Sequence, residues 1–240
     1  KSAPTPIMDA GVADAEVDAG GTPPSDDDDE QGVPDEPLPE CIVTSIGIWD
    51  EFEAPAEGSR FTTPAIGFDP LHHCGAQGIK ATVDTAGQKS VFVRDVPAPA
   101  TPTKVVSWSF LVNFDIASTA VTFRFAELLM ANNRRLIFEL NQGSVLLIEK
   151  DDGVDGGGGE TGHPSFGTAT LKTWLRLDLR IDYATKKATY KFGPPGGTAP
   201  VAELGLANAL DRVTAEQLGP TPPSVGSVTV HYDRAAVYVE

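Results

Sequence analysis

The chain has 240 residues, 34 of them acidic and 18 basic, and its formal net charge is −16. Residues 1–40 carry 12 acidic residues and one lysine, so residues 41–240 have a net charge near −5 and are numerous enough to bury one sizeable core. The sequence has no run of Lys and Arg for phosphate contacts, which argues against nucleic acid as a partner, and no apolar run approaches the roughly 20 residues of a transmembrane segment.

Residues 1–40 form the first predicted region, an acidic linker rich in Pro, Asp and Gly. Such a segment buries too little apolar surface to offset its ordering entropy, so we expect a disordered tether. It resembles the stalk of bacterial surface lipoproteins, and the chain begins at Lys1 without an apolar signal segment. We therefore expect a secreted or cell-surface protein whose export signal has been removed and which is tethered through this linker.

Two cysteines, Cys41 and Cys74, occur near the start of the predicted domain, which we place at residues 41–240. In an exported protein they are predicted to form one disulfide, worth about 3–4 kcal/mol in the loop-entropy model. Two buried free thiols are the alternative. The adjacent His72 and His73 point to opposite sides of an extended chain, so a loop pair is favoured over a metal cluster.

From Cys41 onward the apolar residues alternate with a period of two, which predicts strands. Turn residues separate them, such as the Asn-Gln-Gly of residues 141–143. Two stretches, 126–133 and 201–210, are predicted to be short helices or capped turns. The strands are predicted at 42–48, 49–53, 78–83, 90–94, 105–114, 120–126, 135–140, 144–149, 168–172, 174–182, 187–192, 227–232 and 235–239.

Many short strands of this kind predict an all-β fold, a β-sandwich of two packed antiparallel sheets. The order of "IWDEFE", "GIKATVD", "VSWSFLVNF", "RLIFELNQGSVLLIE", "TWLRLDLRIDYATKKATYKF" and "VTVHYDRAAVYV" resembles the concanavalin A-like (laminin G-like) jelly roll, over about residues 46–240. The resemblance implies a curved pair of sheets whose concave face or rim loops bind carbohydrate. The inference from fold to function is analogy.

Enzyme motifs are incomplete. Retaining glycosidases of this fold carry a Glu-x-Asp-x-Glu strand, which the sequence lacks. Two stretches, around Arg124 and Tyr190, are similar to motif strands of jelly-roll polysaccharide lyases, but the Gln-Ile-His element is missing. We therefore predict a protein that is not an enzyme, with a lyase or glycoside hydrolase as the lesser alternative.

One metal site follows from the resemblance. Sandwich domains of this type often hold a structural Ca²⁺ between an early acidic residue and an aspartate on the last strand, and carboxylate oxygens suit that ion. Glu53 and Asp233 are the matching positions, and two solvated acids are the alternative. His231, on the same last strand, is predicted to be a surface residue.

The stretch 173–182 alternates large aliphatic residues with Trp174, Arg176, Asp178 and Arg180. With the aliphatic residues in the core, these four lie on the outer face of one sheet, beside Thr189 and Lys191 of the next strand. The same alternation offers Arg124 and Glu139. Arginine forks suit the hydroxyls and carboxylates of sugars and Trp174 offers an aromatic plane, so this set is a candidate ligand floor. Opposite charges also satisfy one another on an exposed sheet, which leaves a self-paired solvated face as the alternative.

The sequence thus predicts a non-catalytic binding module of the cell surface or the secreted space, with a polysaccharide or glycan as its partner. A structural or adhesive domain that contacts another surface protein is the alternative.

Overall fold

The structure is a computed structural model that describes residues 48–50, 67–75, 77–84, 91–99, 101–153, 158–165, 167–207 and 210–240. These residues form strands and connecting turns and no helix, so no helix among them could cross a membrane. The predicted linker at 1–40, Cys41 and Glu53 lie outside the described residues.

The described strands form two antiparallel sheets. In chain order they are β1 (Ile48–Asp50), β2 (Gly67–Asp69), β3 (Gly78–Asp84), β4 (Phe92–Asp95), β5 (Val105–Asp115), β6 (Thr122–Met130), β7 (Arg134–Asn141), β8 (Ser144–Asp151), β9 (Glu160–Gly162), β10 (Gly167–Thr168), β11 (Trp174–Asp182), β12 (Lys187–Gly193), β13 (Ala202–Gly205), β14 (Val213–Leu218) and β15 (Ser227–Val239).

One sheet has eight strands in the order β13-β12-β11-β5-β15-β3-β2, with β1 paired to the far half of β15. The other has seven strands in the order β10-β8-β7-β6-β14-β4, with β9 paired to β8. The predicted all-β sandwich is confirmed.

Turn chemistry explains the tight β7–β8 hairpin, because Gln142 and Gly143 both have positive φ, as a two-residue turn between twisted strands requires.

The core lies between the sheets and is rich in aromatic residues. Phe110 of β5 faces Phe138 of β7 with ring centroids 6.2 Å apart, and Phe125 of β6 meets Phe114 edge-on at 5.0 Å. The aliphatic residues of β11, from Leu175 to Ile181, are all buried in the same core. Because they face inward, the alternate residues of β11 lie on the outer face of the eight-stranded sheet.

Two predictions of short helices or turns are wrong. Residues 126–130 continue β6, and residues 202–205 form the edge strand β13. A bulge between Arg124 and Ala126 places both Phe125 and Ala126 in the core, which breaks the period of two. Strand β14 was missed, and only the first residue of the predicted strand at 168–172 lies in a strand. The last two predicted strands are one strand with a bulge at Arg234.

Candidate functional site

A groove of about 440 Å³ lies on the outer face of the eight-stranded sheet. Neighbouring strands supply its floor, and Val201, just before β13, supplies one side. The polar lining comes from Ser107 and Ser109 of β5, Arg176, Asp178 and Arg180 of β11, and Thr189 and Lys191 of β12, and Val201 adds an exposed apolar side chain. We call this set of residues the groove.

Strand register explains how these side chains come together. Asp178 lies between Ser109 on one side and Lys191 on the other. Arg180 lies in the same way between Ser107 and Thr189. Residues directly opposite one another in antiparallel strands share a face, so the two rows place hydroxyl, carboxylate, guanidinium and ammonium groups side by side.

Arg176 and Asp178 form an ion pair along β11. The Nε of Arg176 donates to both carboxylate oxygens of Asp178, at 3.0 and 2.9 Å, and each side chain is about one-third exposed (35% and 36%). Arg180 and Lys191 are exposed, and they form no ion pair within the described part of the chain. The predicted pairing of opposite charges on the sheet face therefore holds for Arg176 and, among the described residues, not for Arg180.

The exposed apolar side chain of the groove is Val201, whereas Tyr190 alternates with Thr189 and Lys191 on β12 and packs against the core. Tyr190 is half-buried, and burial raises the pKa of its phenol, so the hydroxyl stays protonated at neutral pH. Val201 is 61% exposed. It follows the Gly- and Pro-rich loop 193–200 and precedes β13, and its position depends on the pairing of β13 with β12. Since the sequence prediction had no strand here, it missed Val201.

Trp174 belongs to the same outer face but not to the groove. It packs against the buried side chains of Cys74 and Leu111, and its ring centroid lies 6.3 Å from that of His73. The loop at residues 70–75 therefore covers this end of the sheet. Trp174 is a partly buried packing residue there, rather than the open aromatic platform that the sequence suggested.

Arg124 lies on the other sheet. It extends from β6 of the seven-stranded sheet and contacts Glu160 at 2.7 Å and Glu139 at 3.7 Å. The two sheets pack through their inner faces, so Arg124 and the groove are on opposite outer faces. The structure therefore does not bring Arg124 together with Arg176, Asp178 and Arg180. It also places Arg124 and Tyr190, the two residues similar to lyase motifs, in different sheets.

Asp233 is fully buried on β15, where its Oδ2 accepts hydrogen bonds from the backbone N–H groups of His73 (2.9 Å) and Cys74 (2.8 Å). The carboxylate thereby holds the 70–75 loop on the sheet. Among the described residues, no three His, Cys, Asp or Glu side chains are grouped to hold a metal ion. Because Glu53 and Cys41 lie outside those residues, both the calcium pair and the disulfide stay predictions.

Neither His72 nor His231 lines the groove. His72 is exposed, with its Nδ1 2.6 Å from the carbonyl oxygen of Pro70. His231 is buried rather than on the surface as predicted, because it lies in one row with Asn113 and Trp174 at the end of the sheet that the 70–75 loop covers. Its Nε2 is 4.0 Å from a carboxylate oxygen of Asp115.

A second cavity of about 460 Å³ lies beside Tyr183, Pro102 and Asp211. Its polar groups are used internally: the Tyr183 hydroxyl donates to the carbonyl oxygen of Asp211 at 2.6 Å, and the Asp211 side chain accepts from the backbone of Arg212 at 2.7 Å. The groove, with exposed Arg180 and Lys191, offers more groups to a ligand.

No protein-family model and no curated protein sequence matches this chain. Solved structures do match its fold. The cellulose-induced protein Cip1 is 14% identical with a TM-score of 0.58, over 80% of this chain and 96% of that one. An endo-β-1,4-glucuronan lyase from the fungus Trichoderma reesei is 13% identical with a TM-score of 0.53, and the match covers 73% of this chain and 87% of that one.

A third match is a botulinum neurotoxin type C structure, whose cell entry is described as dependent on interaction with two ganglioside molecules. It is 7% identical with a TM-score of 0.52, over 73% of this chain and 42% of that one, so the chain spans less than half of its length. At these identities the likeness shows the fold alone, and it fits the concanavalin A-like jelly roll. The chain is a jelly-roll β-sandwich.

Proposed function

We propose that the domain is a non-catalytic module that binds a saccharide in the groove. The observation that carries the proposal is the groove itself, an open depression of about 440 Å³ in which polar side chains from three neighbouring strands surround an accessible floor. Its size falls in the range of sites that hold small ligands.

The chemistry of the lining suits a sugar ring. A saccharide presents hydroxyls that both donate and accept hydrogen bonds, and it presents an apolar C–H face. Ser107, Ser109 and Thr189 can donate and accept, whereas Arg180 donates from a planar fork. Val201 supplies apolar surface at the side of the groove.

The structural neighbours support the same class of ligand. One is named as a lyase of glucuronan and another is described through its ganglioside interaction, so this fold serves both catalysis on glycans and binding of them. Fold alone does not decide between these activities. Binding is favoured for this chain because Arg124 and Tyr190, which are similar to lyase motif residues, lie in different sheets and cannot act on one bond.

The setting of the module is part of the proposal. We expect an exported domain held at a cell surface by the acidic linker 1–40, since that composition makes an extended, self-repelling spacer. A structural Ca²⁺ between Glu53 and Asp233 would belong to the frame of the domain rather than to the groove.

A glycan-array screen of the full chain, with and without Ca²⁺, tests the proposal. Ser109→Trp fills the floor of the groove from a half-buried outward position without changing the net charge. Ser144→Trp makes the same change at another half-buried position, in the seven-stranded sheet. We expect binding by the wild type and by Ser144→Trp, and loss of it in Ser109→Trp.

Three results contradict the proposal. Binding that survives in Ser109→Trp and disappears in Ser144→Trp places the ligand on the other sheet. No binding under either condition removes the saccharide function and favours the alternative of a structural or adhesive domain. Release of unsaturated products from a uronate polymer, followed by ultraviolet absorbance, would show lyase activity and contradict a non-catalytic module.

A further inference from the structure

The charges that line the groove have the opposite sign to those of the protein. Three cations, Arg176, Arg180 and Lys191, line it together with one carboxylate, Asp178. The chain as a whole has a net charge of −16, and residues 41–240 are also acidic. A concave patch of one sign attracts ligands of the other sign, and the surrounding acidic protein makes the contrast sharper.

The single carboxylate of the lining is already engaged. The two carboxylate oxygens of Asp178 accept hydrogen bonds from the Nε of Arg176 along β11, at 3.0 and 2.9 Å. Of the three groove cations, Arg180 and Lys191 are exposed and form no ion pair within the described residues. They lie on adjacent strands, since Arg180 faces Thr189 and Lys191 is two residues further along β12.

The charges just outside the groove do not cancel these cations. Lys187 and Glu203 form their own ion pair, with the Nζ 2.6 Å from Oε1. Asp182 accepts a hydrogen bond from the backbone N–H of Thr185 at 2.9 Å and so closes the β11–β12 turn. Its carboxylate lies two residues from Arg180 and offsets part of that charge. Lys191 faces Asp178 across the hairpin, and that carboxylate is paired with Arg176.

From this geometry we infer that the groove selects a saccharide that carries an oxyanion, a carboxylate or a sulfate, and that Arg180 and Lys191 hold that group. The inference rests on the proposed function and adds the class of sugar to it. The guanidinium of Arg180 can bind two oxygens of the anion at once, and the ammonium of Lys191 acts as a point charge beside it.

Calorimetric titration of the full chain with matched pairs of oligosaccharides tests the inference. The pairs are uronate oligomers with their carboxyl-reduced forms, sialyl-lactose with lactose, and sulfated oligosaccharides with their desulfated forms. We expect at least one acidic member to bind about tenfold or more tightly than its neutral counterpart, and its affinity to fall as salt is raised. The pair that shows the effect identifies carboxylate or sulfate as the group.

A charge-removing variant gives the second arm. Arg180→Gln with Lys191→Gln is expected to bring the ratio of acidic to neutral affinity close to one. The control, Arg124→Gln with Lys172→Gln, removes the same net charge away from the groove and is expected to keep the ratio. Loss of the preference in both variants would mean that only the overall charge matters, which overturns the inference.

The outcomes separate the two proposals. Equal binding of acidic and neutral sugars that Ser109→Trp abolishes leaves the proposed function standing and overturns the preference for an oxyanion. An acidic preference that Arg180→Gln with Lys191→Gln retains shows that other residues hold the anion, which also overturns it. If no saccharide of either kind binds, both proposals fail.

Discussion

Arg94 and Glu216 form a charged pair inside the sandwich, where both are almost fully buried. They come from β4 and β14 of the seven-stranded sheet. The Nε1 of Trp108 donates to Oε1 of Glu216 at 2.6 Å, and an Arg94 Nη2 donates to the carbonyl oxygen of Ala235 at 3.4 Å. Since Trp108 and Ala235 belong to the eight-stranded sheet, these contacts link the two layers across the core.

Removal of one charge from this pair is predicted to be costly. Glu216→Gln keeps an acceptor for Trp108 but removes the negative charge that Glu216 places beside the buried Arg94, so we expect the free energy of unfolding to fall by about 3 kcal/mol. The double variant Arg94→Met with Glu216→Gln removes both charges and is expected to recover most of this loss. Urea unfolding measures both, and a double variant no more stable than the single one would contradict this account.

The raised pKa values of two tyrosines predict that stability falls at alkaline pH. The Tyr232 hydroxyl is fully buried, donates to the carbonyl oxygen of Phe125 at 2.6 Å and accepts from the N–H of Gly219 at 3.1 Å. Burial raises the pKa of Tyr232 and of Tyr183. Above a pH of about 10 the unfolded chain loses phenol protons that the folded chain keeps, so the free energy of unfolding falls as pH rises.

Each retained proton is expected to lower the free energy of unfolding by about 1.4 kcal/mol per pH unit above this point. Urea unfolding between pH 9 and pH 11 measures the slope. Tyr232→Phe and Tyr183→Phe should each make the slope shallower. A slope that neither substitution changes would show that these phenols ionise equally in the folded and unfolded chains.

Strand β11 and its hairpin with β12 show how much of the site was predictable. The alternation of β11 and the short turn at residues 183–186 fix the register locally, so Arg176, Asp178 and Arg180 were placed correctly beside Thr189 and Lys191. Membership of a sheet depends on pairing between distant strands, which alternation does not reveal. For that reason Arg124 was grouped with the wrong face.

The bulges of β6 and β15 explain the errors in the strand prediction. After the bulge near Ala126, Leu128 and Met130 lie on the core side, and Glu127 is buried as well. Residues 126–130 therefore do not alternate between apolar and polar in the sequence, and the strand was not recognised there. Arg234 has a φ of 49°, where β15 shifts register against β5. The 70–75 loop that covers Trp174 is remote from it in sequence, so the local pattern around Trp174 could not predict the contact.

The close approach of β3 to its neighbours gives a test at the level of one strand. A Cβ at Gly78 would lie 2.8 Å from the carbonyl oxygen of Leu71 and 2.9 Å from that of Tyr232, both of them backbone atoms. We expect Gly78→Ala to lower the free energy of unfolding by about 1–3 kcal/mol through overpacking. At Gly205, a Cβ meets nothing within 4 Å, so Gly205→Ala is the matched control. Equal melting temperatures for the two variants would contradict the packing around Gly78.

The net charge and the strands belong to different parts of the sequence. Most of the net charge of −16 belongs to residues 1–40, whereas the sheets and the groove belong to the later part of the sequence. A polar linker adds little apolar burial, so truncation to residues 41–240 is expected to change the free energy of unfolding by no more than about 0.5 kcal/mol. Urea unfolding of both forms checks this. A loss of several kcal/mol would make the linker part of the folded domain.

The central claim is that a saccharide binds in the groove on the eight-stranded sheet. The most direct measurement is a ¹H–¹⁵N chemical-shift map of the protein with the saccharide that gives the strongest array signal. The account predicts shifts concentrated at Ser107, Ser109, Arg180 and Lys191, including the side-chain Nε–H of Arg180. Shifts concentrated instead around Arg124, on the seven-stranded sheet, would contradict it.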